Sequence, residues 1–187
     1  IVLAREGKVR ESKRTVILDA AVNVIESDGI TAVTFDSVAA AAGITRGGII
    51  YHFPSRGELI AAIHEHMACR WESQLEAACG KPADETTAFE RLTAYIRMAA
   101  TPATRAEVQM ILDSHHTENQ DAWDRVLQRW APRPQPTDDP AYALALLAAD
   151  GLWVTDVLGS TSIAPEQRRE SVERIIDLIR DIERIAS

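Results

Sequence analysis

The sequence predicts an all-α protein, and three observations lead to that prediction. Hydrophobic residues make up 46% of the 187 positions but aromatic residues only 5%, and alanine, the strongest helix former, is abundant. We find no Val/Thr/Tyr runs with a period of two and no Asn-Gly hairpin signals. Apolar residues recur instead at three- and four-residue spacing, which is typical of amphipathic helices. About nine helices are expected.

Capping residues mark the ends of the first three predicted helices, whose bounds are Ser12–Ser27, Phe35–Ala42 and Arg46–His52. Thr34 and Thr45 stand before the second and third of these helices, where a hydroxyl accepts a free backbone N–H. Gly29 and Gly43 stand after the first and second, where the left-handed backbone conformation is common.

Six further helices are predicted in the rest of the chain. Ser55 and Glu58 form a capping box, so helix four begins there and extends to Cys79. The later helices are expected at 84–100, 103–115, 119–130, 141–158 and from Pro165 onward. Four prolines within 131–140 predict a loop before helix eight. We therefore expect an amino-terminal domain of residues 1–54 and a helical domain of residues 55–187.

Charge is distributed unevenly between these two parts. The total is −8, yet residues 1–57 carry seven Lys/Arg against six Asp/Glu, whereas residues 58–187 carry thirteen against twenty-two. A basic arm spans residues 1–14 and contains Arg5, Lys8, Arg10, Lys13 and Arg14. Such an arm before a small helical domain is suited to contact phosphates, although a solvated terminal tail has the same composition.

Helices two and three are predicted to form a helix-turn-helix. Two short helices joined by a turn of three or four residues cross steeply, so a small residue is needed where they touch, and Ala39 supplies it. Gly43 supplies the positive φ in the turn. Apolar residues that would hold the pair against helix one are Val38, Ala42, Ile44, Ile49 and Phe53. The outer face of helix three is then available for a DNA major groove; two ordinary core helices are the alternative.

One stretch of the chain resembles a known family. Gly43-Ile-Thr-Arg-Gly-Gly-Ile-Ile-Tyr-His-Phe-Pro-Ser-Arg-Gly-Glu-Leu-Ile60, after Thr34-Phe-Asp-Ser-Val-Ala, is similar to the DNA-binding domain of TetR-type (TetR/AcrR-like) regulators. The resemblance covers about residues 15–67. It implies a transcriptional regulator, usually a repressor, with an amino-terminal DNA-binding domain and a ligand-responsive helical body.

The resemblance also implies which residues contact DNA, namely Thr34, Thr45, Arg46, Gly47, Gly48, Tyr51, His52 and Arg56. The amino terminus of helix two, with Thr34, suits a phosphate. Arg46 can donate two hydrogen bonds to a guanine edge. Tyr51 and His52 are expected at phosphates, with Arg56 assisting.

Two features depart from the family pattern. Gly47 and Gly48 are adjacent glycines inside the recognition helix, and each costs about 1 kcal/mol relative to alanine. Ile50 stands where many relatives carry tyrosine. Because few side chains remain to contact bases, direct readout is expected to depend on Arg46.

A homodimer is expected because one recognition helix covers only a few base pairs of a near-palindromic double-stranded operator. Helix eight is apolar nearly all round and helix nine carries a long apolar stripe, so two such pairs would form a four-helix interface. The predicted interface residues are Leu144, Leu147, Gly151, Leu158, Val172, Ile175, Ile176, Ile179 and Ile182. The alternative is that these residues close the core of the monomer.

A site for a small-molecule effector is implied among helices four to eight. The candidate lining residues are Met67, Trp71, Tyr95, Met98, His115, Trp123, Trp130 and Trp153, with His64 and His116 as further polar groups. Each of these is also a common core residue. An acidic body with Trp and Met suits an apolar or a cationic effector.

Other functional classes have little support. No G-x-G-x-x-G, G-x-S-x-G or P-loop motif is present. The pairs His64/His66 and His115/His116 have poor spacing for a metal. We therefore predict no enzyme, no cofactor and no metal, and a helical protein-interaction module remains the alternative to a DNA-binding regulator.

The cellular compartment is predicted from cysteines and hydropathy. Cys69 and Cys79 lie ten residues apart on one predicted helix, too far for a disulfide. We find neither a charged-then-apolar leader nor a membrane span. A reducing cytoplasm, with no membrane partner, is therefore expected.

Overall fold

A computed structural model describes residues 12–115, 117–135, 139–159 and 162–186. Over these stretches the regular structure is entirely helical, which confirms the predicted all-α class. Short 3₁₀ turns occur at Ile30–Ala32 and Ala83–Glu85. The helices are α1 (Lys13–Asp28), α2 (Phe35–Ala42), α3 (Arg46–His52), α4 (Arg56–Cys79), α5 (Ala88–Met98), α6 (Arg105–Ser114), α7 (Gln120–Trp130), α8 (Pro140–Val154) and α9 (Pro165–Ala186).

The helix ends in the amino-terminal part follow the predicted capping residues. The Thr34 hydroxyl accepts the N–H of Ser37 at 3.1 Å, and the Ser55 hydroxyl accepts the N–H of Glu58 at 3.1 Å. Gly43 ends α2 with a φ of +66°. The bounds of α2 and α3 coincide with the predicted ones because both ends of α2 and the start of α3 carry a local signal.

Later helices are shorter than the apolar pattern suggests. Helix α5 begins at Ala88 rather than at residue 84, because Thr87 and Glu90 form a capping box there. Helix α8 ends at Val154 rather than at Leu158, and residues 155–159 form a turn. An apolar pattern does not distinguish the last helical turn from the turn that follows it.

Backbone packing divides the chain into two compact units, and the boundary between them along the sequence falls between Ile63 and His64, inside α4. The start of α4 is tied to the first unit by Arg56, whose Nε donates to the carbonyl of Val33 at 2.8 Å and whose Nη2 donates to that of Ile30 at 3.2 Å. The sequence places its boundary earlier, after residue 54, at the proline that precedes α4. The extent of the two domains stays a prediction.

The core of the first unit is built from the apolar faces of α1, α2, α3 and the first turns of α4. Helix α1 packs against α2, and α2 against α3. Ala39 is buried where a small side chain was expected between α2 and α3. The main buried side chains are Ile17, Leu18, Val24, Ile25, Val38, Ile49, Phe53, Leu59 and Ile63.

The second unit has a core between α5, α8 and α9. Small residues of α8, Ala145 and Ala149, lie against the apolar stripe of α9. Arg168 is buried at the edge of this core, where Nη2 pairs with Asp156 at 2.8 Å and Nη1 donates to the carbonyl of Ala99 at 3.2 Å. Within the described stretches, every helix is too short or too polar to span a bilayer.

Candidate DNA interface and effector cleft

The amino-terminal end of α3 presents Thr45 and Arg46 on the surface of the first unit. The Thr45 hydroxyl accepts the N–H of Gly48 at 3.1 Å and so caps the helix. The Arg46 side chain is largely exposed, and its Nη1 lies 3.4 Å from a carboxylate oxygen of Asp36 on α2. The guanidinium is therefore accessible to a duplex rather than folded into the core.

Helix α3 has a buried and an exposed side. Ile49 and, just after the helix, Phe53 are buried. Tyr51 is 83% exposed, and the half-buried His52 ring meets it edge-on with centroids 5.1 Å apart. The exposed side carries Arg46, Gly47 and Tyr51, three of the residues that the resemblance assigns to DNA, and their contacts with DNA stay predictions.

The two glycines of α3 are not required by packing within the unit. A Cβ on Gly47 would meet nothing closer than Thr45 Oγ1, at 4.0 Å. A Cβ on Gly48 would make ordinary contacts, the nearest with Thr45 Oγ1 at 3.4 Å and Ile44 Cδ1 at 3.5 Å. Alanine fits at both positions and would favour the helix, so packing within the described unit does not require glycine at either one.

Two of the predicted phosphate contacts have structural roles of their own. Thr34 forms a reciprocal capping box with Ser37, in which the Thr34 N–H donates to Ser37 Oγ at 2.9 Å. Arg56 donates hydrogen bonds to the carbonyls of the turn that precedes α2.

Within the basic arm, the guanidinium of Arg14 lies over the Phe53 ring at 4.9 Å. Lys13, the first residue of α1, is exposed, whereas residues 1–11 lie outside the described stretches.

A narrow cleft in the second unit brings together four of the predicted effector residues. Its lining consists of Trp71, Tyr95, Met98, Ala99, Ala149, Asp150 and Trp153. The volume between them is about 10 Å³, which is room for about one water molecule. Three lining residues, Ala99, Ala149 and Asp150, were not predicted from the sequence; for Asp150, a carboxylate inside an apolar helix is the signal that points to it.

Asp150 and Tyr95 are joined by a hydrogen bond in this cleft, the Tyr95 hydroxyl donating to Asp150 Oδ1 at 2.7 Å. Burial of the Asp150 carboxyl raises its pKa, and the hydrogen bond from Tyr95 opposes that shift. Burial and the adjacent Asp150 charge raise the pKa of Tyr95, so the phenol remains the donor.

The other predicted effector residues are not among those that line this cleft, and their role stays a prediction. Met67, Trp123 and Trp130 are buried, and Trp123 packs edge-on against the cleft residue Trp71 with ring centroids 5.8 Å apart. His115 is exposed just after α6, and His116 lies outside the described residues. Sequence periodicity marks Met67, Trp123 and Trp130 as inward-facing but does not distinguish a packed core from a cleft lining.

His64 is fully buried with both ring nitrogens occupied. Trp123 Nε1 donates to His64 Nδ1 at 2.9 Å, and His64 Nε2 lies 3.0 Å from Asp113 Oδ2. These partners select the neutral imidazole with its proton on Nε2. Burial lowers the pKa of His64, partly offset by Asp113.

The predicted dimer residues fall into two groups. On α8 and the turn after it, Leu144, Leu147 and Leu158 are 57%, 70% and 64% exposed, and Gly151 is exposed between them. On α9, the side chains pack into the core of the unit: Val172, Ile176 and Ile179 are buried, and Ile175 is partly buried against them. The α9 stripe therefore meets α8 and α5, as in the alternative that it closes the core of the monomer, and its part in a dimer stays a prediction; the Ile182 side chain lies outside the described residues.

No group of three or more His, Cys, Asp or Glu side chains suited to a metal occurs in the described stretches. The absence of a metal in the functioning protein stays an expectation.

Comparison with known proteins finds a family match in each of the two units. A family profile described as "Bacterial regulatory proteins, tetR family" matches residues 17–63, and one described as "Tetracyclin repressor-like, C-terminal domain" matches residues 90–180. The HTH-type transcriptional regulator AcrR of Shigella flexneri is 26% identical over 118 residues, which are 62% of this chain and 55% of that protein. The chain thus spans about half the length of this curated relative, and smaller shares of others.

Solved structures share the fold. A member of the TetR family from Streptomyces coelicolor has a TM-score of 0.60 at 22% identity, covering 88% of this chain and 98% of that one. The multidrug binding protein EbrR complexed with imidazole has a TM-score of 0.57 at 22% identity, covering 88% and 95%. With its helix-turn-helix and its helical second unit both matched by profiles of one family, the chain belongs to the tetR family of bacterial regulatory proteins.

Proposed function

We propose that this chain is a sequence-specific, DNA-binding transcriptional regulator that acts as a homodimer on a near-palindromic operator. The observation that carries the proposal is the exposed side of α3, where Arg46, Tyr51 and the open backbone at Gly47 lie together. An arginine at the amino terminus of a recognition helix is placed to bond base edges, and exposed polar groups beside it are placed to bond phosphates.

Dimerisation in the proposal depends on α8. Leu144 and Leu147 lie three residues apart and share a side of the helix with Gly151. Large exposed leucines along one helix face favour burial against a second copy. Gly151 is exposed on the same face and has no side chain, so two backbones can approach there.

The proposed regulator is a repressor that responds to a small molecule in the cytoplasm. Repression follows the habit of the family, and no catalytic activity is expected from a chain whose relatives are named as regulators. EbrR, which has the same fold, was solved with imidazole. In the chain described here, Trp71 on α4 lines the cleft, so an effector that enters it is expected to act on α4 and to change operator affinity.

Fluorescence anisotropy with the DNA upstream of the coding sequence tests the proposal. We expect binding whose affinity falls steeply between about 50 and 200 mM salt, because bound lysines and arginines displace counterions from phosphates. Random duplex of equal length should bind more weakly. Tyr51→Ala should weaken binding to both duplexes, whereas Leu112→Ala, at an exposed side chain of α6 in the second unit, is the control and should change neither affinity. An absence of duplex binding at low salt would contradict the proposal and favour a helical protein-interaction module.

A further inference from the structure

The cleft of the second unit places one carboxylate among aromatic side chains. Trp71 on α4, Tyr95 on α5 and Trp153 on α8 surround Asp150, which is the one charged side chain among the lining residues that the structure describes. The ring centroids of Trp71 and Trp153 are 5.1 Å apart, and the rings are nearly perpendicular.

Asp150 has no counter-ion within the described part of the chain. Its carboxylate accepts a hydrogen bond from the Tyr95 hydroxyl and takes part in none of the ion pairs formed there. A carboxylate next to indole and phenol rings is poorly solvated, and a neutral hydroxyl compensates only part of that cost. The raised pKa of Asp150 agrees with a charge that the protein itself leaves unbalanced. Asp150 is nevertheless exposed as a residue, so a solute can reach it.

The aromatic side chains that line the cleft are suited to bind a positive charge. The face of an indole or phenol ring carries partial negative charge and attracts cations, most strongly when water is excluded. Trp71 is held in place because its Nε1 donates to Glu107 Oε1 at 2.9 Å. This part of the chain is negatively charged, as Asp150 is, because residues 58–187 carry twenty-two Asp/Glu against thirteen Lys/Arg. The excess of negative charge raises the local concentration of cations.

We propose that this cleft binds an organic monocation, with Asp150 as its counter-ion and the rings of Trp71, Tyr95 and Trp153 around its charged group. The proposal deepens the proposed function, on which it rests, by naming the chemical class of the effector. One carboxylate matches one positive charge, and a neutral compound of the same shape gains the aromatic contacts but leaves Asp150 unbalanced.

In the structure described here the cleft is closed. Its volume of about 10 Å³ excludes any organic ligand, and the Tyr95 hydroxyl already bonds to one of the two oxygens of the Asp150 carboxylate. Entry therefore requires side chains to move. Trp153 is the side chain best placed to do so, because it is only partly buried and its indole N–H has no hydrogen-bond partner among the described residues.

Isothermal titration calorimetry on the DNA-free protein at pH 7.5, with 1-methylquinolinium and uncharged quinoline as probes, tests the proposal. These probes share a flat aromatic ring system and differ in charge. We expect the wild type to bind the cation at least about tenfold more tightly. Asp150→Asn should lower the affinity for the cation about tenfold and change that for quinoline less than about twofold. Asp150→Glu keeps the charge and should retain most of the preference.

Tyr95→Phe is the matched control, because it removes the hydrogen bond to Asp150 but keeps the ring and the carboxylate. Its affinity for the cation should equal or exceed that of the wild type. Thermal unfolding of each variant establishes that it is folded. Equal affinity for the two probes, no measurable binding of the cation, or an unchanged cation affinity in folded Asp150→Asn would overturn the proposal. Because no DNA is present, these results are independent of whether the chain binds an operator.

Discussion

The guanidinium of Arg46 at the start of α3 lies 3.4 Å from the carboxylate of Asp36 on α2, and both side chains are largely exposed. An exposed ion pair of this kind contributes little to stability. Its effect is on position, because it holds the guanidinium near the amino termini of both helices, where a guanine edge can replace the carboxylate as acceptor. Asp36 thereby becomes part of the candidate DNA interface, although neither the family resemblance nor the charge pattern points to it.

We expect Arg46→Ala to flatten the preference for operator over random duplex. A two-bond contact between arginine and guanine discriminates by about 1–3 kcal/mol, so the ratio of the two affinities should fall about tenfold or more. Anisotropy titrations with both duplexes measure this ratio. Arg174→Ala removes an equal charge from an exposed position on α9 and should leave it unchanged. Undiminished discrimination by Arg46→Ala would assign base readout to other groups.

Asp36→Asn should strengthen non-specific binding to DNA. Its carboxylate repels phosphates and neutralises Arg46 in the free protein, so its removal should raise the affinity for random duplex roughly threefold while operator affinity changes less. Glu173→Gln, an equal charge change on an exposed residue of α9, is the control. If both variants bind random DNA alike, Asp36 has no special place in the interface.

Gly47→Ala should stabilise the protein and weaken DNA binding together. A methyl group fits at this exposed helical position, and alanine is favoured over glycine there by about 1 kcal/mol. If the backbone of α3 approaches the duplex closely at Gly47, the same methyl group should lower operator affinity about tenfold through steric conflict. Urea unfolding and anisotropy measure the two effects. Higher stability with unchanged operator affinity would show that the duplex does not approach this residue.

His64 should make the protein less stable in mild acid. Its pKa is lowered below the usual 6.5 by burial, so the unfolded chain binds a proton at a higher pH than the folded chain does. Its contribution to stability is therefore complete well above pH 6.5 and is lost as the pH falls through 6.5 and below, by up to about 1.4 kcal/mol per pH unit.

His64→Gln tests this, because the amide can still accept from Trp123 and donate to Asp113 but does not titrate. The difference in unfolding free energy between pH 7.5 and pH 5.5 should be smaller in this variant than in the wild type. His66→Gln, on the same helix and only partly buried, should behave as the wild type. A variant with the wild-type pH dependence would show that other groups cause it.

Leu147→Glu should convert the proposed dimer into a folded monomer. Leu147 is 70% exposed, so the substitution should change the stability of an isolated chain by no more than about 0.5 kcal/mol. A charge buried at a two-fold interface is opposed by its own copy and costs far more. Light scattering after size exclusion gives the mass. Leu112→Glu, at an exposed leucine on α6, should remain dimeric, and a dimeric Leu147→Glu would move the interface away from α8.

Local signals account for the part of the fold that could be predicted. Thr34, Gly43 and Thr45 act through hydrogen bonds and φ angles within four residues of themselves, so the bounds of α2 and α3 follow from the sequence alone. The exposure of Arg46 follows in turn, because α3 has only one apolar side.

Tertiary packing decided the rest. Periodicity shows that Trp123 and Trp153 face inward, but only packing makes one a core residue bonded to His64 and the other a wall of a cleft. The apolar stripe of α9 and the leucines of α8 look alike in sequence, and the fold alone determines that the first is covered and the second is not. Capping and helix periodicity act between neighbours along the chain, whereas burial and the pairing of Asp150 with Tyr95 depend on residues that only folding brings together.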